Sequence, residues 1–376
     1  MRYTRVLLAA VIAALALPGA ALAATYKVSA GAPPNAPAPG SFLAGLYDAD
    51  AFYPGSHATL KIHKGDRVTF SGGFHTATIL GSTPRAALEF IQPGPAGSTY
   101  PSVNDETTPT PVPFYWAGKP KFVYNGGTLA PIGATTVNSK TATYSSGGLF
   151  LSQNGYTLKF NKTGTYNVVC LLHPGMKGKI QVLSRTKHVT SPGKVAKRAK
   201  AEVQADIGKA IDIDADQPRA VQDPPSAVVT VGAGSARTSL FAFYPSALSV
   251  PVGTTVTFRS GSVNEPHNIG IGDVNYQVPL LNLIDLVPNG PADPNQVNPN
   301  LFYGSDAPDG QGVRTFTGAA SHGNGYMATN VVWKNATIPG IASETKVKFT
   351  VPGTYTYMCQ IHFNMVGTIN VHPVAP

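Results

Sequence analysis

Cysteine is almost missing from this chain of 376 residues, which has two. A dense disulfide framework is therefore excluded, since two cysteines allow one bridge at most. Charge is sparse as well, at 12% Asp, Glu, Lys and Arg, and the net surplus of +9 is modest for the length. No nucleic-acid motif accompanies that surplus, and ordinary solubility charge with one basic stretch accounts for it. Beyond residue 23 no run is long and apolar enough to span a bilayer, which takes about 20 residues. There is no Cys-x-x-Cys-His, so no attached c-type haem is expected.

What is present begins with a leader pattern. MRYTR, then VLLAAVIAALAL, then PGAALA read as a basic start, a short apolar core and a small-residue site. That order predicts a signal peptide over 1–23, cleaved after Ala23, and a periplasmic or secreted protein. Gly, Pro, Thr, Ser, Val and Tyr dominate the rest and favour short strands and turns.

Both cysteines stand in the same context: "CLLHPGM" (170–176) and "CQIHFNM" (359–365). A lone bridge between Cys170 and Cys359 would leave the paired histidines and methionines unexplained. The longer stretches also correspond, "FNKTGTYNVVCLLHPGMKGKIQV" (160–182) with "FTVPGTYTYMCQIHFNMVGTINV" (349–371), and "FYPGSHATLKIHKGDRVTF" (52–70) with "FYPSALSVPVGTTVTF" (243–258). Cys, His and Met keep one constant offset, so the chain reads as an internal repeat. Alternation of Leu60 with Ile62, and of Val68 with Phe70, about a Gly65-Asp66 turn predicts antiparallel sandwiches. The expected domains are 24–185 and 226–376, joined by 186–225. In the joining segment Ser191-Pro192 is a helix start. Val195, Ala199, Val203, Ile207 and Ile211 then form an apolar stripe, predicting a helical strut packed on one domain. Lys194, Lys197, Arg198 and Lys200 make a basic cluster near its start, and "DADQPRAVQDPPSA" ends it as a loop.

A thiolate, imidazoles and a thioether form a soft donor set that suits copper. Cys170, His173 and Met176 lie on one tight loop, as do Cys359, His362 and Met365. The second imidazole must come from elsewhere: His75 in "GGFHTATI" and His267 in "VNEPHNIG", each just after a "VTF" strand.

On these motifs, both halves resemble the cupredoxins of plastocyanin and amicyanin type, with a Cys-x2-His-x2-Met loop of the amicyanin length. The resemblance covers the early strands and the closing third of each half, and not the long middles. It implies an all-β fold of two tandem Greek-key sandwiches and two type 1 copper ions, one per domain. His75, Cys170 and His173 would form one trigonal plane with Met176 axial; His267, Cys359 and His362 would form the other with Met365 axial. In the family an Asn after the first histidine usually ties the ligand loops together. Asn268 fits that supporting role at the cofactor, and Thr76 replaces it in the first half. The family's C-terminal ligand histidine usually reaches the surface through an apolar ring. This predicts exposed edges for His173 and His362, rimmed by Leu171, Leu172 and Pro174 and by Ile361 and Phe363.

The implied function is an exported electron carrier working between a redox-protein donor and acceptor, with no catalytic residue. One alternative is an enzyme. A laccase-type cluster needs more histidines than remain, mostly as His-x-His pairs, and there are none. A copper nitrite reductase places a histidine directly before the type 1 cysteine, where Val169 and Met358 stand. His57, His63 and His322 are expected on the surface rather than at a further metal. The other alternative, a periplasmic copper store or chaperone, usually shows exposed Met or His tracts. Here Met327 and Met358 are the remaining methionines of the mature chain. For residues 92–120, nearly uncharged and carrying Tyr115 and Trp116, three roles stay open: a cover over a site, a subunit contact or an interdomain brace.

Overall fold

A computed structural model describes residues 22–32, 47–105, 110, 112–277, 296–335, 341–362 and 364–374. Most of the expected leader, and Phe363, lie outside the described residues. Period-two burial builds the sheets. Tyr26, Val28 and Ala30, Val68 and Phe70, Tyr166 and Val168, and Ile180 and Val182 point into one core; Val229 and Val231, Val256 and Phe258, and Ile369 and Val371 point into another. Each buried Val, Leu, Ile or Phe contributes about 1.5–3 kcal/mol against exposure.

The first core lies between two five-stranded sheets. One runs Thr136–Val137, Tyr156–Phe160, Arg67–Gly72, Thr25–Ala30, Phe52–Tyr53, and the other Tyr144–Ser145, Thr78–Ile79, Gly164–Val169, Lys177–Leu183, Leu60–His63. The second core lies between two six-stranded sheets built around Gly353–Met358 with Val366–His372, and Val228–Ser235 with Thr255–Ser260. The all-β sandwiches are as expected, but their ladders are mixed rather than purely antiparallel. Thr25–Ala30 runs parallel to Arg67–Gly72, and Ala247–Pro251 parallel to Val366–His372.

The two halves share structure. Strand Tyr47–Ala49, ahead of the first half's hairpins, pairs with Thr238–Tyr244 and becomes the edge of a second-half sheet. The helix Pro192–Ala215 starts at the expected Ser191-Pro192, although the Ser191 hydroxyl makes no capping hydrogen bond. It packs on both halves rather than one. Val203 and Ile207 meet Ala49, Ala51 and Tyr53, while Ala210 meets Ala233, Leu240 and Tyr244. Ile211, assigned to the stripe by sequence, is exposed. Steps of four residues drift about 40° each around a helix, so the buried face passes to Ala210 and Asp214 instead. Two helix carboxylates complete the joint. Asp206 accepts from Tyr53 Oη at 2.7 Å and lies 2.7 Å from His57 Nε2 and 3.2 Å from Arg237 Nε. Two turns on, Asp214 accepts from Tyr244 Oη at 2.7 Å and pairs with Arg219. The segment read as a closing loop contains a short strand, Ala220–Gln222, parallel to Ala247–Pro251.

Of the three roles open to the middle segment, the structure shows the brace. Tyr100, Val103, Phe114 and Trp116 share a buried cluster with Tyr326 and Ala328. Tyr100 Oη donates to Val297 O and Trp116 Nε1 to Asn300 Oδ1, each at 2.8 Å. His322 belongs to this joint and is buried, against the surface position expected of it. Its nitrogens lie 3.2 Å from Asp105 and from Asp306, and its ring stacks on Phe114. His57 and His63 are at least partly exposed, as expected.

Candidate metal centres

The closing strand of each half delivers a cysteine where the backbone leaves the sheet. After Val169, Cys170 N donates to Met176 O, and Met176 N to His173 O, so the loop folds back on itself. After Met358 the same two bonds join Cys359 to Met365 and Met365 to His362. The methionines are fully buried against the sandwich cores.

The upstream histidines arrive from the opposite strand connection. In the first half, His75 Nδ1 lies 2.9 Å from His173 Nδ1, and these nitrogens lie 4.0 and 3.6 Å from Cys170 Sγ. In the second, His267 Nδ1 lies 3.1 Å from His362 Nδ1, and both are 3.7 Å from Cys359 Sγ. Each triad keeps its donor atoms within 4.8 Å of one another. All eight residues named from the sequence thus stand beside a triad or on its loop.

The electrostatics favour a cation. Burial would raise each thiol, yet the neighbouring imidazoles hold both Cys170 and Cys359 well below the usual thiol range. A buried thiolate facing two nitrogens through the same Nδ1 edge is a donor set that fits copper. Thr76 N donates to Cys170 Sγ at 3.3 Å, and Ile361 N to Cys359 Sγ at 3.4 Å.

Thr76 and Asn268 bind no triad atom by their side chains at short range; they tie the loops. Thr76 Oγ1 accepts from Leu171 N at 2.8 Å, and Asn268 Oδ1 accepts from Gln360 N at 2.8 Å. Asn268 Nδ2 also donates to Gln360 Oε1, and Gln360 Nε2 to Tyr326 Oη. Threonine therefore replaces the amide on the backbone bond but not on the side-chain one.

The expected exposed histidine edges are not found. His173 is 5% exposed, Leu171 is buried and His362 is mostly buried. The His173 ring turns toward the other half, where the sandwiches meet, whereas His362 is covered from within its own half by Glu265 and Phe241. The residues that receive them were missed in the sequence. Glu265 Oε1 lies 3.3 Å from His173 Nε2, and Glu265 Oε2 lies 3.3 Å from His362 Nε2. Asp48 Oδ1 lies 3.6 Å from His75 Nε2. Burial would raise Glu265, but the His173 and His362 imidazoles bring it below the ordinary carboxylate value. The one available signal was an acid two residues before His267. Phe241 stacks on His362 at 4.3 Å between ring centroids. On the solvent side of the first centre, Phe74 and Phe150 stay exposed, with the Phe74 ring 6.4 Å from that of His173.

A β-sandwich with a buried Cys and a His on the loop after its closing strand, facing a second His from an upstream loop, defines a copper-binding electron-transfer protein of cupredoxin type. The comparisons agree. The profile of copper binding proteins of the plastocyanin/azurin family matches residues 229–372. Amicyanin-alpha of Methylorubrum extorquens is 33% identical over 96 residues, 26% of this chain and 81% of the relative. The chain belongs to this family of copper proteins. Among solved structures, the purple cupredoxin of Nitrosopumilus maritimus is 21% identical over 39% of this chain and 99% of its own, with a TM-score of 0.19. The copper-containing nitrite reductase of Thermus scotoductus is 14% identical over 94% of this chain and 68% of its own, with a TM-score of 0.23. No helix among the described residues is long and apolar enough to cross a membrane.

Proposed function

We propose that the chain is an exported electron carrier with two type 1 copper sites, one in each of the divisions 24–185 and 226–376. His75, Cys170, His173 and Met176 would hold one ion; His267, Cys359, His362 and Met365 the other. The observation that carries this reading is the pair of triads, one buried and one mostly buried, alike in donor atoms and in loop hydrogen bonding. Copper, when bound, supplies a one-electron couple. The chain's residues hold the donors in a geometry that a change of oxidation state leaves nearly unaltered, because strands fix the cysteines and Thr76 and Asn268 fix the loops. Water is kept out by Met176, Met365 and the surrounding core. Export rests on the 1–23 leader pattern, and exchange with redox-protein partners on the family. An electron carrier rather than a nitrite-reducing enzyme is supported by Val169 and Met358, which stand directly before the cysteines where a nitrite reductase places a histidine.

Metal analysis and the visible spectrum of the oxidised protein test the reading. Two coppers per chain and an intense thiolate-to-copper band are expected, with Cys170→Ser and Cys359→Ser each removing about half of that band. One copper per chain, or no such band, would sink it.

A further inference from the structure

We propose that the Glu265 carboxylate is the conduit by which the two centres exchange an electron, joining His173 of one to His362 of the other. This inference rests on the two-copper reading above.

Each of the two imidazoles presents Nδ1 to its cysteine and Nε2 to Glu265. A neutral imidazole has one protonated nitrogen, so a ring that gives Nδ1 to a metal must carry its proton on Nε2. The two protonated nitrogens then stand at ion-pair distance, 3.3 Å each, from the two oxygens of one carboxylate, and Glu265 Oε1 has no hydrogen-bond partner among the described residues. The route between centres runs ring, carboxylate, ring, with covalent bonds everywhere except two ion-pair contacts of 3.3 Å.

The carboxylate is built into its place. Glu265 is 4% exposed, and a buried ion of this kind is costly unless donors surround it. Its backbone N donates to Ser262 Oγ at 3.2 Å, and it sits two residues before His267, so the loop that carries one ligand of the second centre also reaches the first. Beside it, Asn264 Nδ2 donates to Asp50 Oδ2 at 3.0 Å, pinning the same loop to the first half. A salt link meant only to join the halves has no need to end on a ligand ring at both sides. The helix, the shared strand and the aromatic brace already join them.

The step balances simply. With copper held by both triads, one electron would pass from the centre of His173 to that of His362, or the reverse, by way of Glu265. No bond forms or breaks, no proton changes atom, and Glu265 carries the same charge before and after.

The test uses the copper-loaded full chain, with metal content measured for every sample. Rapid injection of less than one electron per chain, followed by freeze-quench EPR, reads internal equilibration. Spectra of Cys170→Ser and Cys359→Ser assign the two Cu(II) signals. Glu265→Gln, which offers an amide N–H to one ring, should slow equilibration roughly 10–100-fold with both copper signals retained. Glu265→Asp keeps the charge but is too short to span both rings, and should slow it as well. In the fully reduced protein, proton NMR should show two slowly exchanging imidazole N–H signals that each variant loses at least in part. One copper per chain would overturn both the two-copper reading and this proposal. Two coppers with unchanged rates in both variants, or imidazole signals indifferent to Glu265, would overturn this proposal alone.

Discussion

Asp48 Oδ1 stands 3.6 Å from His75 Nε2, whereas the same nitrogen of His267 is buried with no hydrogen-bond partner among the described residues. The first centre therefore has two carboxylates on its imidazoles and the second has one. A nearby negative charge favours the more highly charged metal state. The His75 centre is expected to have the lower potential, so electrons run downhill toward the His267 centre. Redox titration of Asp48→Asn should raise only the lower of two potentials, on the order of 60 mV, the one-electron equivalent of about 1.4 kcal/mol. A rise in the upper potential instead would reverse the assignment.

Gly232 has φ +65°, and a Cβ there would come within 2.4 Å of His267 Nε2; Gly31 has φ +82° and a Cβ there would come within 2.5 Å of His75 Nε2. Neither position can take a side chain without moving a ligand ring. Gly232→Ala should cost more than about 1 kcal/mol and dim the second centre's share of the copper band. Gly31→Ala should do the same to the first. Thermal melts and visible spectra of the two variants check this, and an unaltered spectrum in both would count against it.

Asp206 is buried and bonded to Tyr53 of the first half while paired with Arg237 of the second. Replacing it with Ala leaves the buried Tyr53 hydroxyl without its acceptor. The expected loss is about 1–3 kcal/mol, read by urea denaturation. Copper binding should survive, since Asp206 touches no triad atom. A variant as stable as the parent would show that the apolar contacts of Val203 and Ile207 suffice.

His322 offers a pH signature remote from the metal. Burial alone would lower its imidazole, but the Asp306 and Asp105 carboxylates more than offset this and leave it raised. A raised folded value means the charged form stabilises the fold fully below the unfolded imidazole value of about 6.5, and this contribution fades as pH rises through the folded value. The stability gap between the parent and His322→Gln should therefore be widest in mild acid and narrow toward alkaline pH. A gap that grows with pH would reject the assignment.

The features legible in the sequence are those set by short-range spacing. Cys170, His173 and Met176 share a loop whatever the rest of the chain does, and period-two alternation places Val68 and Phe70 in a core without further information. What the sequence hides is set by segments far apart. Glu265 reads as a loop acid beside His267, and nothing local says that its other oxygen meets His173. His322 lies in a Gly-rich stretch that suggests exposure, until Asp105 and Phe114 arrive from the first half. On the helix, Asp206 and Asp214 belong to the polar face by composition, yet tyrosine hydroxyls make them part of the buried one. The outward edge expected of His173 fails for the same reason, since Glu265 of the other half covers it, whereas His362 is covered by Glu265 and Phe241 of its own half.

Strand Tyr47–Ala49 is lent by one half to a sheet of the other. This makes the chain indivisible in a way its symmetric motifs conceal. Cleaved in the helix, the second fragment would keep its own core but present Thr238–Tyr244 as a bare edge, and bare edges recruit whatever strand is at hand. The natural recruit is the first fragment, which alone carries the matching strand. Severed halves should thus find one another again and restore a single particle, as complementing fragments rather than as two independent small proteins.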